Sequence, residues 1–257
     1  MSGPHVHLER TGGSGPRVLL LHGAGATAAV WAPTLAEIAR RRAGWDVLTV
    51  DLPGHGRSDP LPGYHHQRYA EAVARAVPPG RRIDLAVGHS LGGLVALSLA
   101  DGTHGIEIGA VAVLALRVGW TADELAARAG RAARPSRIFA APEPARSRFA
   151  LVSGMAADAD PELLDTGVLT CDGGFRLAVD PRTGADPPAD ADELARVAAR
   201  AAGPVRLACG GADPGVRPDE LSATLGHPVQ VVPGAGHNLH VEHPSFVVDL
   251  IENALPA

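Results

Sequence analysis

Three continuous apolar runs limit what this chain can become: RVLLLHG (17–23), WDVLTVD (45–51) and IDLAVGH (83–89). None alternates apolar with polar residues, as a half-exposed strand would. Each is followed by a stretch with helical spacing: TLAEIARRR (34–42), RYAEAVARAV (68–77) and LGGLVALSLA (91–100). Continuous apolar strands belong to parallel sheets covered on both faces. Strand–helix alternation therefore predicts an α/β fold with a mostly parallel central sheet and helices on both faces. Ligands are expected at the carboxyl ends of its strands. Further strands are predicted at IGAVAVLAL (108–116), PVRLACGG (204–211) and PVQVVPG (228–234), with helices near 218–225 and 244–254. His5 and His7 are expected on an exposed edge strand.

The rhythm fails after residue 116. Helical pieces such as TADELAARAGRAA and DADELARVAARAA stand between joints rich in Pro, Gly and Asp. A structureless loop of that length is implausible inside a compact domain. The reading is a core of residues 1–116 and 189–257, with an inserted helical cap over 117–188. A chain of 257 residues suits one large domain of this kind. Aromatic residues make up only 4% of it, so Ala, Val and Leu must fill the core.

Composition excludes several functions. All 23 basic residues are arginine, so a Schiff-base lysine is ruled out, and with it imine and pyridoxal phosphate catalysis. A net charge of −5 gives no reason to expect nucleic acid or an anionic membrane surface as partner. No apolar stretch is long enough to span a membrane. The opening MSGPHVHLERTGG has no basic-then-apolar pattern, so no signal peptide is expected. Cys171 and Cys209 form no CxxC pattern, and a reducing, cytoplasmic setting is the default. Oligomeric state has no signature in the sequence.

Gly88-His89-Ser90-Leu91-Gly92 sits between an apolar strand and an apolar helix. A G-x-S-x-G turn there strains the central residue and projects its hydroxyl above the sheet. A hydroxyl of ordinary pKa needs a base, an orienting acid and donors for the developing oxyanion. The turn His22-Gly23-Ala24-Gly25 closes the first long strand, and the N–H groups of Ala24 and Leu91 are the expected donors. Each such donor is typically worth about 3 kcal/mol of transition-state stabilisation. For the acid, one strand ends in Arg117-Val118-Gly119 without a carboxylate, whereas Asp213 follows its strand in a Gly/Pro turn. Asp213 is chosen. For the base, VVPGAGHNLHVEHP offers His237, His240 and His243. His237 follows the strand directly and is preferred. The order Ser90, Asp213, His237 is that of α/β enzymes with a nucleophile elbow.

With these residues in view the chain resembles the α/β-hydrolase family. The resemblance covers about 1–116 and 200–257 and rests on HGAG, DLPGHGRSD (51–59), GHSLGG, GGADPGV and GAGHNLHVEHP. It implies hydrolysis through an acyl-enzyme on Ser90, without cofactor or metal. In DLPGHGRSD, Asp51, His55 and Ser58 are expected to be structural. Relatives that hydrolyse alkyl halides or epoxides carry an aspartate at the position of Ser90. Carbon–carbon hydrolases of the family usually carry a tryptophan where this chain has Asn238.

The expected substrate is therefore a small to medium carboxylic ester, lactone or thioester. The alternatives are a carbon–carbon hydrolase, lyase or acyltransferase with the same triad, or a weakly catalytic ligand-binding protein. Trp31, Arg117, Trp120, Phe139 and Met155 are candidates for the substrate pocket. The arginines early in the cap and the acids late in it are expected to neutralise one another or face water. YHHQRY (64–69) is read as a solvated loop, because adjacent histidines cannot both face one ion from a regular helix.

Overall fold

The computed structural model describes residues 3–41 and 43–255. Its central sheet has seven strands in the order β1-β3-β2-β4-β5-β8-β9. These are β1 (Leu8–Arg10), β2 (Arg17–Leu21), β3 (Asp46–Val50), β4 (Leu85–His89), β5 (Val111–Leu114), β8 (Val205–Gly210) and β9 (Val229–Val232). β1 runs antiparallel to β3, with Leu8 opposite Val50, and the other pairings are parallel. The predicted edge strand thus lies just after His5 and His7. His5 is exposed and His7 half-buried.

The helices are α1 (Ala32–Arg40), α2 (His66–Ala76), α3 (Leu91–Leu99), α4 (Ala122–Ala132), α5 (Pro142–Ser153), α6 (Pro161–Asp165), α7 (Ala191–Ala199), α8 (Pro218–Leu225), α9 (Leu239–Glu242) and α10 (Pro244–Ala254). The period-2 pleat divides each apolar strand between two cores. Leu19, Leu21, Leu48, Val50, Val113 and Leu207 pack beneath α2, α3, α7 and α8. Val18, Leu20, Val47, Val87, Leu114 and Ala208 pack on the opposite face with residues of α1 and α10. This is why the strand sequences carry no polar alternation.

Between β5 and β8 the chain leaves the sheet. The inserted segment carries the expected helices and, in addition, one short pair of strands. Besides α4, α5 and α6, residues 117–188 contain an antiparallel hairpin of β6 (Val168–Cys171) and β7 (Gly174–Leu177). Thr170 and Phe175 face each other across it, and Phe139 bridges to Phe175. The Cys-Asp-Gly-Gly turn at 171–174 permits the hairpin, with Gly173 at φ 85°. No helix among the described residues is long and apolar enough to cross a membrane.

Candidate active site

β4 delivers His89 to the carboxyl edge of the sheet and α3 leaves from Leu91. Ser90 between them adopts φ 50° and ψ −115°, a conformation rarely taken by residues with a side chain. Two bonds brace it: Ser90 N–H donates to Leu114 O at 2.8 Å, and Gly93 N–H donates to Ser90 O at 2.9 Å. The glycines two residues to either side are sterically required. A Cβ on Gly88 would strike the Gly92 carbonyl, and one on Gly92 would strike the carbonyls of Leu21 and His22. Only bare backbone lets β4, β2 and α3 approach this closely.

The candidate acid and base follow β8 and β9, the last two strands of the sheet. Asp213 lies in the turn after β8, with its side chain 2% exposed. Its Oδ1 accepts from Gly215 N–H at 2.8 Å and its Oδ2 lies 2.7 Å from His237 Nδ1. Burial pushes the carboxyl pKa up, but the bonds from His237 and Gly215 outweigh it and leave the net shift downward. The carboxylate is therefore charged, and His237 carries a proton on Nδ1. Its Nε2 is left as the basic nitrogen. No hydrogen bond joins His237 to Ser90 Oγ among the described residues. Such contacts commonly tighten only when substrate binds.

His237 is held by residues the sequence reading did not single out. Glu242, at the end of α9, accepts from Gly236 N–H at 2.6 Å and from Asn238 N–H at 3.0 Å, clamping the loop on both sides of the histidine. His89 Nε2 donates to His237 O at 3.0 Å, and the two rings meet edge-on at 4.7 Å. Glu242 lies inside the GHNLHVEHP segment, so its position was a signal. His240, the alternative base, is fully buried against Trp31, and neither of its ring nitrogens has a partner among the described residues. His243 is exposed.

The turn after β2 is shaped by buried neutral histidines. His22 donates from Nδ1 to Gly23 O at 2.7 Å and accepts Leu52 N–H on Nε2 at 2.9 Å. His55 accepts Gly25 N–H on Nε2 at 3.1 Å. Burial lowers their pKa values to about 4 and about 3 respectively. Asp51 fixes the neighbouring loops by accepting from Ala28 N–H and Arg57 N–H, and Ser58 Oγ donates to the Asp51 carbonyl. Asp51, His55 and Ser58 are thus scaffolding.

Ala24, Ser90 and Leu91 line one cavity of about 130 Å³. Leu94, Leu116 and Leu194 form apolar wall, and Arg117, Trp120 and Arg128 contribute from the inserted segment. The Arg117 guanidinium lies 4.2 Å from the Trp120 ring centroid and pairs with Glu124 at 2.5 Å. Of the five pocket candidates, Arg117 and Trp120 line this cavity, and the other three are corrected. Trp31 ends a short 3-10 turn and is buried against His240. Phe139 is buried in its bridge to Phe175, and Met155 packs beside Phe149 and Leu164. Trp31 is suggested by its place after the Ala24 turn, and Phe139 and Met155 by their apolar character, but packing buries the first two and sets Met155 half-buried against core residues.

The α/β-hydrolase model, described as "Alpha/beta hydrolase family", matches residues 18–250. The chain belongs to the alpha/beta hydrolase family. Among curated members, it is 40% identical over 100 residues to a pimeloyl-[acyl-carrier protein] methyl ester esterase of Pseudoalteromonas atlantica, covering 37% of this chain and 36% of that one. It is 42% identical over 96 residues to esterase Rv0045c of Mycobacterium tuberculosis, covering 35% of this chain and 30% of that one. This alpha/beta hydrolase thus matches only about a third of the length of these relatives. In fold it superposes on the thioesterase domain from the curacin biosynthetic pathway with a TM-score of 0.77 at 22% identity, covering 98% of this chain and 96% of that domain.

Proposed function

We propose that this alpha/beta hydrolase cleaves carboxylic esters, lactones or thioesters, with Ser90 as nucleophile, His237 as base and Asp213 as its orienting acid. The observation that carries the reading is the 2.7 Å Asp213–His237 bond beside a serine held at φ 50° on the wall of a cavity. Ser90 Oγ bonds to the substrate carbonyl carbon as its proton passes to His237 Nε2. The N–H groups of Ala24 and Leu91 stabilise the oxyanion. His237 then protonates the leaving oxygen or sulfur as the acyl bond breaks. Water, deprotonated by His237, attacks the acyl-enzyme and releases the acid.

Residues 117–188 act as a cap, since Arg117, Trp120 and Arg128 close one side of the serine cavity. The serine cavity measures about 130 Å³. Its apolar wall suits a short aliphatic acyl group, with the rest of the substrate in the wider depression outside. The esterase names of the relatives support an ester substrate. The free cysteines, Cys171 and Cys209, suit a reducing compartment such as the cytoplasm.

The test pairs p-nitrophenyl esters of increasing chain length with a fluorophosphonate probe. Acetate and butyrate esters are expected to turn over much faster than the palmitate, and the probe to label wild type but not Ser90→Ala. Unchanged turnover by Ser90→Ala would overturn the reading. Labelling without turnover of any ester would mark an acyl acceptor other than water, or a receptor.

A further inference from the structure

The segment YHHQRY does not form the solvated loop expected of it. α2 begins at His66, and His65 is its N-cap in extended backbone, φ −65° and ψ 143°. That break from helical geometry removes the objection to a shared ligand, because the two rings need not diverge by a helical step. They lie 4.2 Å apart between centroids, and both turn to a carboxylate from α7. Glu193 Oε1 is 3.1 Å from His65 Nε2 and 2.9 Å from His66 Nε2. One ligand atom from each residue falls within 4.8 Å of the other two. Tetrahedral zinc bonded at about 2.0–2.1 Å sets its ligands roughly 3.3 Å apart, so small rotations would suffice.

The hydrogen-bond network around His66 points the same way. Its side chain is 4% exposed, and its Nδ1 lies 2.7 Å from Ser98 Oγ. The Ser98 hydroxyl also lies 2.8 Å from Leu94 O, and by donating there it can accept from His66 Nδ1–H. With the ring proton on Nδ1, the Nε2 lone pair faces Glu193 Oε1 at 2.9 Å, the placement of two ligand atoms about one cation. A cation bound at Nε2 would keep the Ser98 bond on Nδ1, as outer partners of zinc-bound histidines do. His65 contributes at a small cost. Its Nδ1 accepts Gln67 N–H only at 3.4 Å, and that bond is given up when the proton moves to Nδ1. Asp186 and Asp190 line the same depression and favour a cation, with Arg68 opposing.

We propose that His65, His66 and Glu193 form a zinc site where the outer depression, lined by His65 and Glu193, meets the serine cavity, lined by His65 and His66. The ion would tie the start of α2 to α7, the helix by which the chain returns from the inserted segment to the sheet.

Isothermal titration of the full chain with zinc chloride at pH 7.5 tests this. One ion per chain with micromolar or tighter affinity is expected, and a rise in Tm of roughly 5–10 °C at a free zinc concentration about a hundredfold above Kd. Glu193→Gln and, independently, His65→Ala are expected to weaken binding at least about tenfold. His237→Asn is expected to leave binding unchanged. Three results would overturn the proposal: wild-type affinity no tighter than millimolar, binding indifferent to both Glu193→Gln and His65→Ala, or loss of the ion in His237→Asn, which would put it on the catalytic pair. The first would leave His65, His66 and Glu193 as an ion-pair cluster.

Discussion

His237 Nδ1 stands 2.7 Å from Asp213 Oδ2, and the carboxylate that holds it is almost wholly shielded from water. That bond fixes both the tautomer and the orientation of the ring. Asp213→Asn keeps the shape but offers the wrong partner to Nδ1–H. It is expected to lower kcat about 10⁴-fold, with KM changed far less. Steady-state kinetics beside a thermal melt separates this from unfolding. A loss below tenfold with an intact melt would remove Asp213 from its role.

The backbone of Ser90 stores strain. A side chain at φ 50° and ψ −115° typically costs about 1–3 kcal/mol, and glycine escapes most of that cost. Ser90→Gly and Ser90→Ala both lack the hydroxyl, so both are expected to be inactive. Ser90→Gly is expected to be about 1 kcal/mol more stable than Ser90→Ala, read from urea midpoints. Equal midpoints would mean that the turn is relaxed.

Gly92 has no room for a methyl group, because its Cβ would meet backbone carbonyls of β2 rather than a side chain that can swing aside. Gly92→Ala is therefore expected to destabilise the fold by more than about 3 kcal/mol, or to prevent soluble expression. Gly80, at φ 88° with open space around its Cβ position, supplies the contrast. Gly80→Ala is expected to cost only about 1 kcal/mol, from backbone strain alone.

Buried histidines make the fold sensitive to acid. Burial holds His22 at about 4, His55 and His240 at about 3, and His89 well below its ordinary value. In the unfolded chain these rings titrate near 6.5. Below that pH the unfolded state binds more protons, so stability is complete above about pH 6.5 and falls as the pH drops towards 4. The slope is up to about 1.4 kcal/mol per pH unit for each ring. Urea midpoints at pH 7.5 and 5.5 measure it. His240→Leu removes a ring whose two nitrogens lack partners among the described residues, and is expected to flatten the slope. An unchanged slope would locate the sensitivity elsewhere.

The sequence by itself determined the order of strands and helices, the strained serine turn and the residues at each strand end. Those features are local: the period of apolar residues reports the backbone, and glycine reports where backbone approaches backbone. Ser90, Asp213 and His237 were legible because each follows its own strand, and parallel strands bring such ends to one edge. Tertiary structure decided what depends on direction and distance. Trp31 lies a few residues beyond the Ala24 turn yet faces the core, because its 3-10 turn packs it on His240. The β6–β7 hairpin has too few residues to declare a period against its helical surroundings. Glu193 meets His66 from 127 positions away, a contact set only by how α7 lies against the start of α2. No spacing rule encodes that meeting, since it arises from packing between elements rather than from the period within either.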